Sequence, residues 1–307
     1  MKKILITGGT GTVGRSFIKK YYDDYEFYSI SRNETAIADL KRAFPKVNCY
    51  IGDIRDLDHM TNLFFKISPD IVIHAAAVKH INLAEENPTS AIEVNILGSL
   101  NVAKASIRAS VPITVGISTD KACNPDSVYG YTKKMMESMF MQYHNQETKF
   151  VSTRFANVAN SNGSVIPFWL SESDKGNPLK LTDPEMNRLM FSRNDAAELI
   201  WMAIASAMAP LSNSFVLCKI MKNVNMLELA NMIGNGDVEV VGKRPGEKLN
   251  ETLISKGELP YTHISDEGYV FISPEINEDS NSLEEEHSSA NAECMTTKEM
   301  KDLVWTK

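Results

Sequence analysis

Two clusters in this 307-residue chain have residue types and spacings suited to chemistry. One is Tyr129-x-x-x-Lys133, with Ser118-Thr119-Asp120-Lys121 just upstream. On a helix, Tyr129 and Lys133 stand one turn apart and share a face. A lysine ammonium there is expected to depress the phenol pKa, so that Tyr129 takes a proton from a substrate hydroxyl while a hydride leaves for a nicotinamide. Thr119 is placed to orient that hydroxyl. Tyrosine–lysine pairs arise by chance on many surface helices, and this one gains weight from the second cluster. That cluster is Thr7-Gly8-Gly9-Thr10-Gly11-Thr12-Val13-Gly14, with Gly8-x-x-Gly11-x-x-Gly14 set between a strand and a helix. Glycines let the backbone turn tightly and approach a pyrophosphate, and the helix N-terminus offers unpaired N–H donors. A glycine-rich turn without a ligand is the competing reading, and the strand–turn–helix placement weakens it.

The residues after the second strand bear on which dinucleotide is held. An acidic residue there would bind the ribose 2′-hydroxyl of NAD. This chain has Ser31-Arg32-Asn33, a hydroxyl and a guanidinium suited to a 2′-phosphate, so NADP is expected. A solvated arginine at a strand end is the alternative. After the third strand, Asp53-Ile54 offers a carboxylate for the adenine amino group, or a helix N-cap near Arg55-Asp56.

These residues need a scaffold, and the first half of the chain alternates short apolar runs with amphipathic stretches. Ile4–Ile6, Phe27–Ile30, Cys49–Ile51, Ile71–Ile73, Ile113–Ile117 and Phe150–Arg154 read as strands. Val13–Tyr22, Thr35–Phe44, Asp58–Ile67 and Ser127–Tyr143 read as helices. Continuous apolar strands have both faces covered, which predicts an α/β protein with a Rossmann-type, doubly wound parallel sheet. After about Asn160, glycines and prolines break the pattern. A helix over Asp195–Ala207 is expected to return to the sheet. Met226–Ile233 and Val238–Val241 suggest a smaller C-terminal α/β substrate lobe. The division expected is residues 1–165 for the dinucleotide and 166–307 mainly for the substrate, with Ser273–Glu286 an exposed acidic loop or disordered segment.

Composition narrows the function classes. With 32 Lys plus Arg against 39 Asp plus Glu, the net charge of -7 argues against general nucleic-acid binding. Cys49, Cys123, Cys218 and Cys294 are scattered, which disfavours a metal site or a disulfide framework and suggests a reducing compartment. His74 and His80 lack a third ligand. The apolar start is too short for a secretory signal, and Leu199–Leu211 falls short of the ~20 residues that span a bilayer. A soluble cytoplasmic protein is expected.

With these motifs in place, the chain resembles the extended short-chain dehydrogenases/reductases, and within them the soluble, inverting UDP-N-acetylglucosamine 4,6-dehydratases that open pseudaminic acid synthesis. The resemblance runs almost the whole length. It is carried by residues 7–14 and 31–34, Gly52-Asp53-Ile54-Arg55-Asp56, Ala75-Ala76-Ala77-Val78-Lys79-His80 and Ser118-Thr119-Asp120-Lys121-Ala122. It continues through Asn124-Pro125, Tyr129-Gly130, residues 163–168, Arg244-Pro245-Gly246-Glu247-Lys248 and His287-Ser288-Ser289. Asp120-Lys121 is its most specific part, since related 4-epimerases usually lack an acid and a base there.

The resemblance implies a mechanism. Tyr129 deprotonates the sugar 4-hydroxyl as NADP takes the C4 hydride, Lys121 removes H5, and Asp120 protonates the departing 6-hydroxyl. The hydride returns to C6, and C5 is reprotonated on its opposite face. Lys121 must be neutral to act as base, so its pKa is expected to be lowered by Lys133 and Lys79 or by burial. A loop ion pair without chemistry is the plainer reading of Asp120-Lys121. The implied cofactor contacts are Gly8, Thr10, Gly11, Thr12, Val13, Gly14, Ser31, Arg32, Asp53, Ile54, Ala75, Ala77, Lys79, Tyr129, Lys133 and Val158. The implied substrate contacts are Lys79, Asn157, Ile166, Arg188, Arg244 and Glu247, the two arginines as clamps for a UDP diphosphate. A homo-oligomer is also implied. Phe155–Ser161 and Asn187–Ser192 depart from the family's usual runs on both flanks of the sugar pocket. An NADP-dependent nucleotide-sugar epimerase and a nonenzymatic NADP-binding regulator are the alternatives.

Overall fold

The computed structural model describes residues 1–209, 213–234, 236–243, 247–275 and 281–305. Six apolar runs of the first half are parallel strands: β1 (Lys3–Thr7), β2 (Glu26–Ser31), β3 (Asn48–Ile51), β4 (Ile71–His74), β5 (Ile113–Thr119) and β6 (Lys149–Phe155). They lie in the order β3-β2-β1-β4-β5-β6. The chain therefore reverses direction across the sheet between β1 and β4, which is where such sheets bind ligands.

The doubly wound arrangement is the one expected, but the sheet is mixed. Strand Val216–Lys219 adds in parallel beside β6, and Tyr269–Ile272 and Thr262–Ile264 follow in antiparallel. All three come from the half of the sequence after residue 165. They are three or four residues long, too short for a periodic signal, and only the buried edge of β6 makes them strands.

Strand alternation buries both faces of the sheet. Ile4, Ile6, Ile71 and Ile73 face one side and pack with Phe17 and Ile18 of α1 (Thr12–Lys20) and with Ala196–Ala207. Leu5 and Val72 face the other and pack with Met60, Phe64 and Ile67 of α3 (Leu57–Ile67) and with Val102 and Ala105. Asn33 caps α2 (Glu34–Ala43) by accepting from the Ala36 N–H, and Asp56 caps α3 by accepting from the His59 N–H. Helix Arg193–Ala207 packs on α1, β5 and β6. It begins two residues before the expected Asp195 because Ser192 and Asp195 form a capping box.

A second core lies outside the sheet. Ile166 and Trp169 of helix Val165–Asp174 pack there with Leu179, Leu181, Leu229, Ile233, Met300 and Val304. Of the acidic segment expected to be exposed, residues 276–280 fall outside the described set. Leu283 packs half-buried against the main core, and its N–H donates to the Thr262 hydroxyl. No helix among the described residues is long and apolar enough to cross a membrane.

Candidate active site

The ends of β1, β2, β4 and β5 open onto a cleft of about 670 Å³, a usual size for a ligand site. Gly8, at φ 72°, forms its floor; a Cβ there would stand 2.8 Å from the Ala76 backbone. A Cβ on Gly14 would stand 2.6 Å from the Gly9 Cα, so the first turn of α1 lies tight on the loop. Gly11 caps α1 without any side-chain bond, which leaves the N-terminal N–H groups available. This glycine cradle at a helix N-terminus fits a dinucleotide pyrophosphate.

Gly8, Thr10, Gly11, Thr12, Val13, Gly14, Ser31, Arg32, Ile54, Ala75, Ala77, Lys79, Tyr129, Lys133 and Val158 all line the cleft. The Ser31 and Thr10 hydroxyls meet at 3.1 Å, and Arg32 stands 3.8 Å from the Asp53 carboxylate. Asp53 is not the helix cap that was one of its two expected roles. Its carboxylate is occupied by the Arg55 backbone N–H and guanidinium, at 2.7 Å for Nη2, and it is absent from the cleft lining. The cap of α3 is Asp56.

The acid–base residues gather where β5 ends. Asp120–Ala122 make one tight helical turn, and helix Val128–Tyr143 starts on Ser127, whose hydroxyl accepts from the Gly130 N–H. A Cβ on Gly130 would come within 2.4 Å of the Lys121 carbonyl, so glycine is what lets this helix press against the turn. Thr119, Lys121, Tyr129 and Lys133 line the cleft. Asp120 lies buried behind them, and its Oδ1 accepts from the Thr119 hydroxyl at 2.8 Å, the Lys121 N–H at 2.9 Å and Lys121 Nζ at 3.0 Å. Its Oδ2 is buried and has no hydrogen-bond partner among the described residues.

The electrostatics correct two expectations. Burial works to lower the Lys121 pKa, but the charges of Asp120 and Glu251 outweigh it and hold the amine above its ordinary value. Lys121 is therefore an ammonium here, and its opposing cation is Arg188, not Lys133 or Lys79. Burial pushes the Tyr129 phenol up to about 12, with Lys121 pulling it down and Asp120 pushing it up. Lys133 is not the cation that acts on that phenol. Its Nζ points at the Met136 sulfur at 3.6 Å, and burial lowers its own pKa to about 8.

The residues expected to hold the substrate are dispersed. Lys79 and Asn157 line the cleft; Lys79 Nζ donates to the Asn162 carbonyl and Asn157 to that of Leu189. Ile166 is buried in the second core and does not reach the cleft lining. Arg188 is 8% exposed and donates to the carbonyls of Asn187, Leu249 and Lys248, with Glu247 at 4.0 Å. Its fork clasps this chain's own backbone, which leaves little of it for a diphosphate. Arg244 lies outside the described residues. His74 is buried between the Thr7 and Ser99 hydroxyls, and burial lowers its pKa to about 3. His80 lies on the cleft wall, and no metal-binding group occurs among the described residues.

Residues 4–272 match the polysaccharide biosynthesis protein family. The chain belongs to that family. It is 35% identical to the inverting UDP-N-acetylglucosamine 4,6-dehydratase of Campylobacter jejuni subsp. jejuni serotype O:2, over 90% of this chain and 84% of that one. It is 32% identical to a UDP-glucose 4-epimerase of Rickettsia massiliae, over 84% of this chain and 79% of that one. Among solved structures, Pen from Bacillus thuringiensis superposes with a TM-score of 0.87 at 29% identity, covering 99% of this chain and 96% of Pen.

Two residues of this family member's site escaped the sequence reading. Asn95 lies in a π-helical stretch, Ile92–Leu97, a form that often marks function. Its side chain accepts from the Val78 N–H and donates to the Val78 carbonyl and the Thr132 hydroxyl, tying the cleft wall to the Tyr129 helix. Glu251 sits 3.6 Å from Lys121 Nζ. Its only sequence signal is its place three residues after the Arg244–Lys248 run.

Proposed function

We propose that this chain is an inverting UDP-N-acetylglucosamine 4,6-dehydratase that uses NADP. The observation that carries the reading is the Asp120–Lys121 pair: an amine on the cleft wall beside Tyr129, backed by a carboxylate with one unpartnered oxygen. An epimerase needs only the tyrosine end; an acid and a base set together are what an elimination requires.

Gly8, Gly11, Gly14 and the N-terminus of α1 would hold the pyrophosphate, and Ser31 with Arg32 the 2′-phosphate. NADP held there would supply the hydride acceptor for C4 of the sugar and the hydride donor for C6. Tyr129, as its phenolate, takes the proton of the 4-hydroxyl, and Thr119 orients that hydroxyl. The 4-keto group acidifies H5, and Lys121, once neutral, removes it. Asp120, protonated by the Lys121 ammonium 3.0 Å away as that amine becomes neutral, gives the proton to the 6-hydroxyl, which leaves as water, and C5 is reprotonated from its opposite face. Lys79 and Asn157, which line the cleft, would meet the substrate. The 35% identity to an inverting dehydratase supports the substrate and stereochemistry; the Rickettsia relative supports epimerisation as the second reading.

Incubating purified protein with UDP-N-acetylglucosamine and weighing the product separates them. Loss of one water is expected, with NADP released on denaturation. An epimer of unchanged mass would replace the dehydratase reading with the epimerase one.

A further inference from the structure

Lys121 is bracketed by two carboxylates from different parts of the fold. Asp120, beside it in sequence, stands 3.0 Å from Nζ, and Glu251, 130 positions away, stands 3.6 Å away. Glu251 is 8% exposed and lies outside the cleft lining. Its backbone is clamped on both sides of the peptide by Ser289, whose hydroxyl accepts from the Glu251 N–H while the Ser289 N–H donates to the Glu251 carbonyl. That same hydroxyl donates to the Asn187 carbonyl, and Arg188 holds the carbonyls of Leu249 and Lys248. Strand Thr252–Ile254, which follows directly, packs on the Asp120–Ala122 turn. A carboxylate held this firmly beside an amine is a built feature of the site.

We propose that Glu251 is a positioning residue for the elimination step, holding the Lys121 amine at the cleft wall between two carboxylates from different parts of the fold. The inference rests on the dehydratase reading above. Among the described residues, the charges that act on Lys121 come from three segments. Asp120 comes from its own turn, Glu251 from the segment before Thr252, and Arg188 opposes both from strand Asn187–Phe191. Tyr129 faces it from the helix, and Lys248 faces Glu251. Lys133 turns to Met136, while Lys134 and Arg154 turn to Glu137 and Glu258. Glu251 is thus the one carboxylate besides Asp120 whose charge opposes loss of the Lys121 proton among the described residues. Burial raises its own pKa, and the nearby cations oppose that rise, so carboxylate and amine share one proton economy.

The test follows exchange of H5 in UDP-N-acetylglucosamine with solvent deuterium as a function of pH. In the wild type, exchange rises with pH as Lys121 loses its proton. In Glu251→Gln one anion is gone, and the rise is expected about one pH unit or more toward acid. Glu251→Asp keeps the charge but draws it back by a methylene, so its rise moves the same way by less. A rise left in place in either variant, with exchange merely lowered at every pH, would overturn the inference while leaving the dehydratase reading intact. Wild-type protein that exchanged no H5 at any pH would overturn both.

Discussion

Two buried ion clusters lie on either side of the same turn, and they are built differently. In one, Arg154 is fully buried on β6 and spends all five of its N–H donors: on both oxygens of Glu137, both of Glu258 and the carbonyl of Leu253. Glu137 also accepts from the Ser118 hydroxyl, one residue before Thr119. In the other, Lys121 reaches the cleft, and Asp120 keeps an oxygen with no partner among the described residues. Arg154 has no N–H left for a substrate, and its cluster ties β5, β6, the Tyr129 helix and the Glu258 segment together. The unsaturated cluster keeps capacity in reserve at the point where a reacting molecule would lie. Counting unmet hydrogen bonds, more than counting charges, separates the frame from the chemistry.

The largest expected effect is on the frame. Arg154→Ala leaves buried Glu137 and part-buried Glu258 with only the half-exposed Lys134 as a cation among the described residues, and should cost about 3–5 kcal/mol in urea unfolding. A loss comparable to that of an exposed ion pair would mean the cluster does not hold the fold. A smaller, graded effect follows from pH. Burial favours neutral Glu258, but the charge and hydrogen bonds of Arg154 win and hold it at about 2. Its folded pKa is depressed below the unfolded value of about 4.3, so this stability is complete above about pH 4.3 and lost as pH falls toward 2. Lys121 has the opposite sign. Its folded pKa is raised, so its contribution is complete below about pH 10.4 and lost at higher pH. Urea midpoints across both ranges should show Glu258→Gln flattening the acid limb and Lys121→Met the alkaline one. Interchanged or unaltered limbs would break the contrast.

Much of this site was legible because its parts are close in sequence. The glycine cradle spans seven residues, and Thr119 to Lys133 fifteen, so type and spacing alone locate them. Protonation was not legible. Asp120, its neighbour in sequence, is the largest charge acting on Lys121, but Glu251 and Arg188 join it from more than 60 positions away, and no local pattern brings them to one turn. Lys133 misled for a related reason: helical spacing places it on the Tyr129 face, yet packing turns its amine to Met136. The antiparallel edge strands were equally hidden, since they are strands only because β6 and Val216–Lys219 have an open edge to pair.

The account turns on Lys121 belonging to the chemistry and not to the frame, and Lys121→Met tests that directly. With UDP-N-acetylglucosamine and bound NADP in deuterated water, two signals are followed in one reaction: nicotinamide reduction for C4 oxidation, and deuterium entry at C5 for the base. The account predicts that reduction persists, because Tyr129 and Thr119 remain, while deuterium entry and water loss fall about 10²–10⁴-fold. Near wild-type deuterium entry in a folded Lys121→Met protein would contradict it, and would make the Asp120–Lys121 pair another piece of the frame.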